Sequence, residues 1–206
     1  MDFSSITSRF QSFLSGLLIV TLLVSQTFQV SWFDQVQADQ SDYYDVVSIF
    51  VDRNTYDILK PEISQYASDI QAYLPQTRTN IQIIDTDTTP VNIATINEKL
   101  YYEGDSGEGV SRLVGTILIG DVPLPIVSRG GKTFPSIFPY VDFADKAFIH
   151  TPEKNQYLAQ SSSAWDTEAD IWHGVIDPDL SAPMTDEAHE ELRHFFEKTH
   201  AFYTQS

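Results

Sequence analysis

Gly115-Thr116-Ile117-Leu118-Ile119-Gly120-Asp121 is the most informative stretch of this sequence. It is apolar through its centre and closes on Gly-Asp, which is typical of a strand that is buried on both faces. Upstream, the apolar run 46–51 and the run 79–84 predict two further strands, and downstream residues 169–176 predict a fourth. Strands of this kind need helices on both faces to cover them.

Helical patterns separate these strands. Apolar residues recur at helical spacing from Ile58 to Tyr73, and because Pro61 lacks a backbone donor we expect this helix to begin near it. Residues 91–102 predict the next helix, and Thr185 can cap the last one. The alternation predicts an α/β fold, a three-layer α/β/α arrangement around a mostly parallel sheet. The buried stripe of the last helix is expected at Leu192, Phe195, Phe196, Thr199 and Phe202 or Tyr203.

Residues 1–38 differ in composition from the rest of the chain. No charged side chain lies between Arg9 and Asp34, and residues 13–24 are densely apolar. A weakly positive start, an apolar run and a small-residue site at 36–38 match the three parts of a secretory signal peptide. The sequence therefore predicts an N-terminal hydrophobic targeting helix.

Two alternatives to a cleaved signal remain for this segment. An uncleaved membrane anchor would cover residues 10–33, and a buried core helix is the other. A signal or an anchor both export the remainder, with residues 39–45 as a linker and residues 46–206 as the domain. We therefore expect the protein to be secreted or held at the cell envelope, with membrane contact only through the N-terminal segment.

The composition limits the possible functions. The chain has 206 residues and a formal net charge of −17, which repels nucleic acid phosphates, so nucleic acid binding is not expected. Hydrophobic residues make up 42% of the chain, enough for a buried core. Cysteine is absent, which excludes disulfides and a cysteine nucleophile within these residues.

Acidic residues follow the predicted strands, where ligands of open parallel sheets bind. Hard carboxylate ligands of this type suit calcium outside the cell, but we expect these acids mainly to solvate the loop ends. Calcium is the one cofactor considered, with Asp121 and Asp142 as candidate ligands. The acids in question are Asp52, Asp85, Asp87, Asp121, Asp177 and Asp179.

Three histidines bear on catalysis. His189 and His194 are five residues apart on one predicted helix, a spacing that does not place them on one face, so both are expected at the surface. His173 lies on a predicted strand before Gly174, where an imidazole could act as a general base. Because no nucleophile motif accompanies it, we expect a structural role for His173.

Short motifs in a fixed order carry a family resemblance. Gly120-Asp121-Val122-Pro123 closes a strand, Tyr140-Val141-Asp142-Phe143 lies in an aromatic loop, and the strand at 170–176 precedes a helix with Lys198 and Tyr203. This order resembles the gingipain-like cysteine peptidases, which are secreted α/β proteins with a caspase-like fold. The resemblance covers about residues 45–206, with Val175 standing where the family has arginine after Gly174.

The resemblance implies particular roles. In arginine-specific gingipains an acid ahead of the fourth strand lines the pocket for a basic side chain, and Asp166 stands at a comparable distance before Gly174, which implies substrate binding by Asp166. The family's catalytic His-Gly and Cys lie on strands after the helix that matches residues 185–206. The resemblance therefore implies the N-terminal part of the domain, inactive alone because thiolate attack needs a cysteine.

These observations favour an exported partial gingipain-like domain. A half sheet would leave an open edge and exposed apolar surface, so a separate catalytic chain or a protein or peptide ligand is the expected partner. The alternative is a non-enzymatic cell-envelope or surface binding module whose acidic loops hold calcium or a basic partner. A third interpretation is a metal- or carboxylate-dependent hydrolase that uses Asp121, Asp142 and His173.

Overall fold

The computed structural model describes residues 43–105, 111–160, 168–180 and 182–204. The expected targeting segment at 1–38 lies outside the described residues. No helix in the described part of the chain is long and apolar enough to cross a membrane.

The chain alternates strands and helices, as the sequence predicts, and then inserts a run of short strands. The elements are β1 Tyr44–Asp52, α1 Arg53–Tyr73, β2 Thr77–Ile84, α2 Pro90–Glu103, β3 Ser111–Ile119, β4 Ile126–Arg129, β5 Lys132–Pro135, β6 Phe148–Thr151, β7 Gln156–Ala159, β8 Trp172–Ile176 and α3 Asp186–Thr204. A single 3₁₀ turn, Phe138–Tyr140, lies between β5 and β6.

A parallel sheet forms the centre of the domain. Its strand order is β2-β1-β3-β8, and every neighbouring pair is parallel. The central strands β1 and β3 are the most apolar and are buried along most of their length. The prediction of an α/β fold with a mostly parallel sheet is therefore confirmed.

Helices cover both faces of this sheet. Alternate residues of β1, such as Val46 and Phe50, pack with Ile93 of α2 and with the 3₁₀ turn. The intervening residues, such as Val47 and Ile49, pack with the residues of α1 and α3 on the opposite face. Because successive side chains of a strand point to opposite faces of the sheet, each central strand contributes residues to two separate cores.

The helical segment α1 is divided close to the predicted helix start. It begins at Arg53, where the side chain of Asp52 caps it by accepting a hydrogen bond from Thr55 N at 3.0 Å. Leu59 has non-helical angles, φ −116° and ψ 22°, so two helices meet there at a kink. Pro61 lies in the first turn of the second helix, as the sequence predicts, because its missing backbone donor costs little at that position.

The four short strands form a second sheet that the sequence patterns did not predict. Its order is β5-β4-β7-β6, with two antiparallel hairpins joined by a parallel pairing of β4 and β7. The turn of the first hairpin is Gly130-Gly131, with both residues at positive φ. Strands of four residues are too short to show a reliable period in the sequence.

The buried stripe of α3 is narrower than expected. Leu192 and Phe196 are buried, as predicted, whereas Phe195 and Phe202 are 41% and 68% exposed. α3 packs on α1, where Tyr66 lies 5.3 Å from Phe196 between ring centroids, and Leu192 and Phe196 also belong to the core on this face of the sheet.

Candidate functional site

The carboxyl ends of the parallel strands meet at one edge of the sheet, which we call the carboxyl edge. Ligands of open α/β sheets bind at this edge. A cavity of about 540 Å³ lies there, formed by the loops that follow β2, β3 and β8. Its polar lining includes Asp85, Asp121 and Asp177, and its apolar lining includes Val122 and Leu180.

Asp52 joins two loops of the carboxyl edge. One carboxylate oxygen accepts from Thr55 N at 3.0 Å, and the other accepts from Asp121 N at 3.0 Å. Asp121 in turn accepts a hydrogen bond from Met184 N at 3.0 Å, which fixes the approach to α3. These two carboxylates therefore hold the backbone of the edge together.

Gly120 has no space for a side chain at this point. Its φ is +74°, and a Cβ atom would lie 2.3 Å from Asp52 Oδ2 and 2.6 Å from Thr55 Oγ1. The Gly-Asp pair that ends β3 is thus explained by geometry. Glycine permits the close approach, and the backbone of the following aspartate donates to the helix cap.

His189 contradicts the prediction of a surface position. It is only 3% exposed, and its Nε2 lies 3.2 Å from Thr55 Oγ1 at the beginning of α1. Its Nδ1 is buried and has no hydrogen-bond partner among the described residues. The side chain faces inward because α3 packs along α1. His194 is exposed, as predicted, and its Nδ1 lies 3.3 Å from Glu197 Oε2.

The Thr55–His189 pair has the geometry of a hydroxyl beside a base. Nucleophile activation would need such a contact, together with access for a substrate. Thr55 is fully buried, however, at 0% exposure. The pair therefore acts as an internal polar contact between α1 and α3, a role that helical spacing could not reveal.

Asp177 is partly buried at the carboxyl edge, close to other carboxylates. Burial raises the pKa of its carboxyl group above the usual value, and the negative charges of Asp121, Asp179 and Asp52 raise it further. A hydrogen bond from Asp179 N to Asp177 Oδ1, at 2.9 Å, partly opposes this shift. The edge therefore carries concentrated negative charge.

The two candidate calcium ligands line different cavities. Asp121 is exposed at the carboxyl edge, whereas Asp142 is 7% exposed and lines a cavity of about 340 Å³ beside α2 with Glu98 and His150. Within the described ranges, no group of three or more acidic or histidine side chains could hold a metal ion. The calcium assignment stays a prediction.

Of the remaining predicted site residues, the structure describes only His173. His173 is exposed on β8 and lines a cavity of about 630 Å³ with Trp172 and Arg112. Asp166, for which the resemblance implies substrate binding, lies outside the described residues. The structure therefore does not bring Asp121, Asp142 and His173 into one described cavity.

Among the residues that the structure describes, the last strand of the parallel sheet has an open edge. β8 pairs with β3 on one side and ends the strand order on the other. Two of its side chains, Trp172 and Val175, are 44% and 38% exposed. A further cavity, of about 330 Å³, lies between the end of β8 and the side chains of Leu192 and Phe195. Exposed apolar surface thus surrounds this strand.

The comparisons with known proteins find no relative of this chain. No family model matches the sequence, and no similar protein is found among the curated proteins or the solved structures. The fold and the site define an α/β domain with a parallel sheet, a carboxylate-rich carboxyl edge and an open strand at β8.

Proposed function

We propose that residues 46–206 form the N-terminal part of an exported gingipain-like cysteine peptidase domain, which is inactive alone and is completed by a catalytic part. The observation that carries this proposal is the open edge of β8. A strand added there would extend the parallel sheet and cover part of Val175, which is 38% exposed, whereas the Trp172 ring packs over Gly115 of β3.

The order of the elements supports this assignment. The strand order β2-β1-β3-β8 grows from β1 towards β8 after the first crossover, so the next position for a strand is beside β8. The cavity between β8 and α3 offers apolar contacts to a helix or loop that accompanies such a strand. These features agree with a caspase-like domain of which this is the first part.

The side-chain chemistry supports inactivity of the chain alone. The sequence contains no cysteine, so no thiolate can form within these residues. The hydroxyl–imidazole pair of Thr55 and His189 is buried and serves the packing of α3. Catalysis in this proposal belongs to the part that pairs with β8.

The proposal is tested first by the coding sequence beyond the codon for Ser206. An in-frame or neighbouring segment that encodes His-Gly and then Cys is expected. The longer or combined protein should hydrolyse arginyl or lysyl peptides, and thiol alkylation should abolish this activity. The pure 206-residue chain should hydrolyse neither substrate. Unrelated sequence downstream, or thiol-sensitive activity in the pure chain, would contradict the proposal.

A matched pair of variants tests the edge directly. Val175→Lys places a charge on the open edge of β8, whereas Ile83→Lys places one on β2, at the other edge of the sheet. When the catalytic part is supplied, Val175→Lys should reduce assembly and peptidase activity, and Ile83→Lys should leave both near the unmodified level. Equal effects of the two variants would count against pairing at β8.

A further inference from the structure

A small cavity lies between α2 and the second sheet, and we call it the α2 cavity. Its volume of about 340 Å³ is at the lower end of the range of about 300–1,000 Å³ for ligand pockets, so it suits a small molecule. The loop before β6 and the strands β6 and β7 form one wall. The other wall is a single face of α2, formed by Val91, Ala94, Thr95 and Glu98.

The buried part of this lining is largely aromatic. Phe143 is 5% exposed and Tyr157 is 7% exposed. The ring of His150 lies 5.2 Å from that of Tyr157 between centroids, so the aromatic wall continues along β6. Asp142 is also buried in the lining, but it already has a partner within the chain. The buried part of the cavity therefore suits an apolar group that packs against the rings.

Charges of both signs stand at the solvent side of the α2 cavity. Glu98 and Lys146 line it, and both are exposed. Among the described residues, neither forms an ion pair. Burial raises the pKa of Tyr157 to about 12, and the negative charge of Glu98 contributes to this rise, so Glu98 lies close to the buried phenol. The carboxylate and the ammonium group are therefore both available to a ligand.

The wall formed by the second sheet is close to electrically neutral. Residues 126–160 contain four basic and three acidic side chains, whereas the whole chain has a net charge of −17. An anionic group is therefore repelled less here than at the carboxyl edge, where Asp85, Asp121 and Asp177 surround the cavity. A ligand of the α2 cavity can thus carry a carboxylate as well as a cation.

We propose that the α2 cavity binds a free α-amino acid with a large apolar side chain. Its ammonium group pairs with Glu98 and its carboxylate with Lys146, while its side chain packs against the rings of Phe143 and Tyr157. Charge-assisted hydrogen bonds to both ends of the zwitterion give selectivity, and burial of the side chain gives affinity. The described lining contains no residue of β8, so this inference stands apart from the proposed function.

Isothermal titration of the full 206-residue chain tests this assignment. L-Leucine and L-phenylalanine are expected to bind at one site per chain. Their N-acetyl derivatives lack the ammonium charge and their amides lack the carboxylate, so each derivative should bind about tenfold more weakly, the effect of one lost hydrogen bond between charged groups. Glycine, which has no side chain to bury, should also bind more weakly.

Two variants and two matched controls assign the charges. Lys146→Met should weaken binding of the free amino acid to the level of its amide and leave binding of the amide unchanged. Glu98→Gln should weaken it to the level of the N-acetyl derivative and leave that derivative unchanged. Lys154→Met and Glu103→Gln remove the same charges outside the cavity lining and should preserve binding. All four side chains are exposed, so the folded domain should tolerate these changes.

The opposite results would overturn the assignment. Failure of both L-leucine and L-phenylalanine to bind would remove the site. Equal affinities for the amino acid and its amide would indicate a simple amine ligand, and equal affinities for the amino acid and its N-acetyl derivative would indicate a simple carboxylate. A comparable loss in Lys154→Met or Glu103→Gln would place the binding elsewhere on the chain. These results would leave the pairing at β8 as it stands.

Discussion

Gly120 combines two constraints that a pair of alanine variants can separate. Its φ of +74° disfavours any side chain, and a Cβ would collide with Asp52 and Thr55. Gly131 in the β4–β5 turn has a similar φ of +77° but nothing within 4 Å of the Cβ position. Gly131→Ala therefore measures the backbone cost alone, about 1–2 kcal/mol.

We expect Gly120→Ala to lower the free energy of unfolding by more than this. The Cβ would displace Asp52 from its hydrogen bonds to Thr55 N and Asp121 N, which adds about 1–3 kcal/mol. Chemical denaturation of both variants measures the difference. Equal losses in the two variants would mean that the loop after β3 relaxes freely, and the proposed role of Asp52 would then be wrong.

Asp177 provides a prediction with a defined dependence on pH. Folding raises the pKa of this carboxyl, chiefly through burial, so the folded state favours the neutral form. The ionised group therefore destabilises the fold above its folded pKa, and this cost disappears as the pH falls below the unfolded value. Asp177→Asn should raise the melting temperature at pH 7, and the gain should shrink on acidification.

The control for this variant is Asp87→Asn, which removes the same charge from an exposed turn. Asparagine at 177 keeps an acceptor for Asp179 N, so the comparison isolates the charge. If the two variants gave the same gain at pH 7, general relief of net negative charge would explain it, and the local environment of Asp177 would not.

At the scale of elements, burial on two faces made the main strands predictable. β1 and β3 need long apolar runs because helices cover them on both sides, and such runs are visible in the sequence. The helix start near Pro61 was predictable from proline alone, whereas the segment from Arg53 to the kink at Leu59 depends on the Asp52 cap. The second sheet was not predicted because its strands are four residues long, too short to show a reliable period in the sequence.

The candidate site was predictable in outline only. Sequence order places Asp121 and Asp177 after strands, and parallel strands bring such residues to one edge. The inward position of His189 depends on how α3 packs along α1, a tertiary contact with no local signature. The same holds for the hydrogen bond between Asp52 and Asp121 N, which joins residues 69 positions apart.

The edge strand β8 should control self-association of the isolated chain. Open strands with apolar side chains pair with other strands unless a charge or a cover prevents it. Val175→Lys is expected to lower the weight-average mass in sedimentation velocity at high protein concentration. Ile83→Lys on β2 serves as the matched control, since Ile83 is similarly exposed at 37%. A chain that is monomeric without either change would show that β8 is already protected.

For the whole molecule, the net charge of −17 predicts that the melting temperature depends on salt. The same measurement tests the calcium alternative. Self-repulsion destabilises the fold, and salt screens it with a Debye length of about 10 Å at 0.1 M. The melting temperature should therefore rise with sodium chloride. At equal ionic strength, calcium and magnesium should act alike, because Asp52 and Asp121 already accept backbone hydrogen bonds. A saturating rise with calcium alone, lost in Asp121→Asn, would favour the calcium-binding module over a partial peptidase domain.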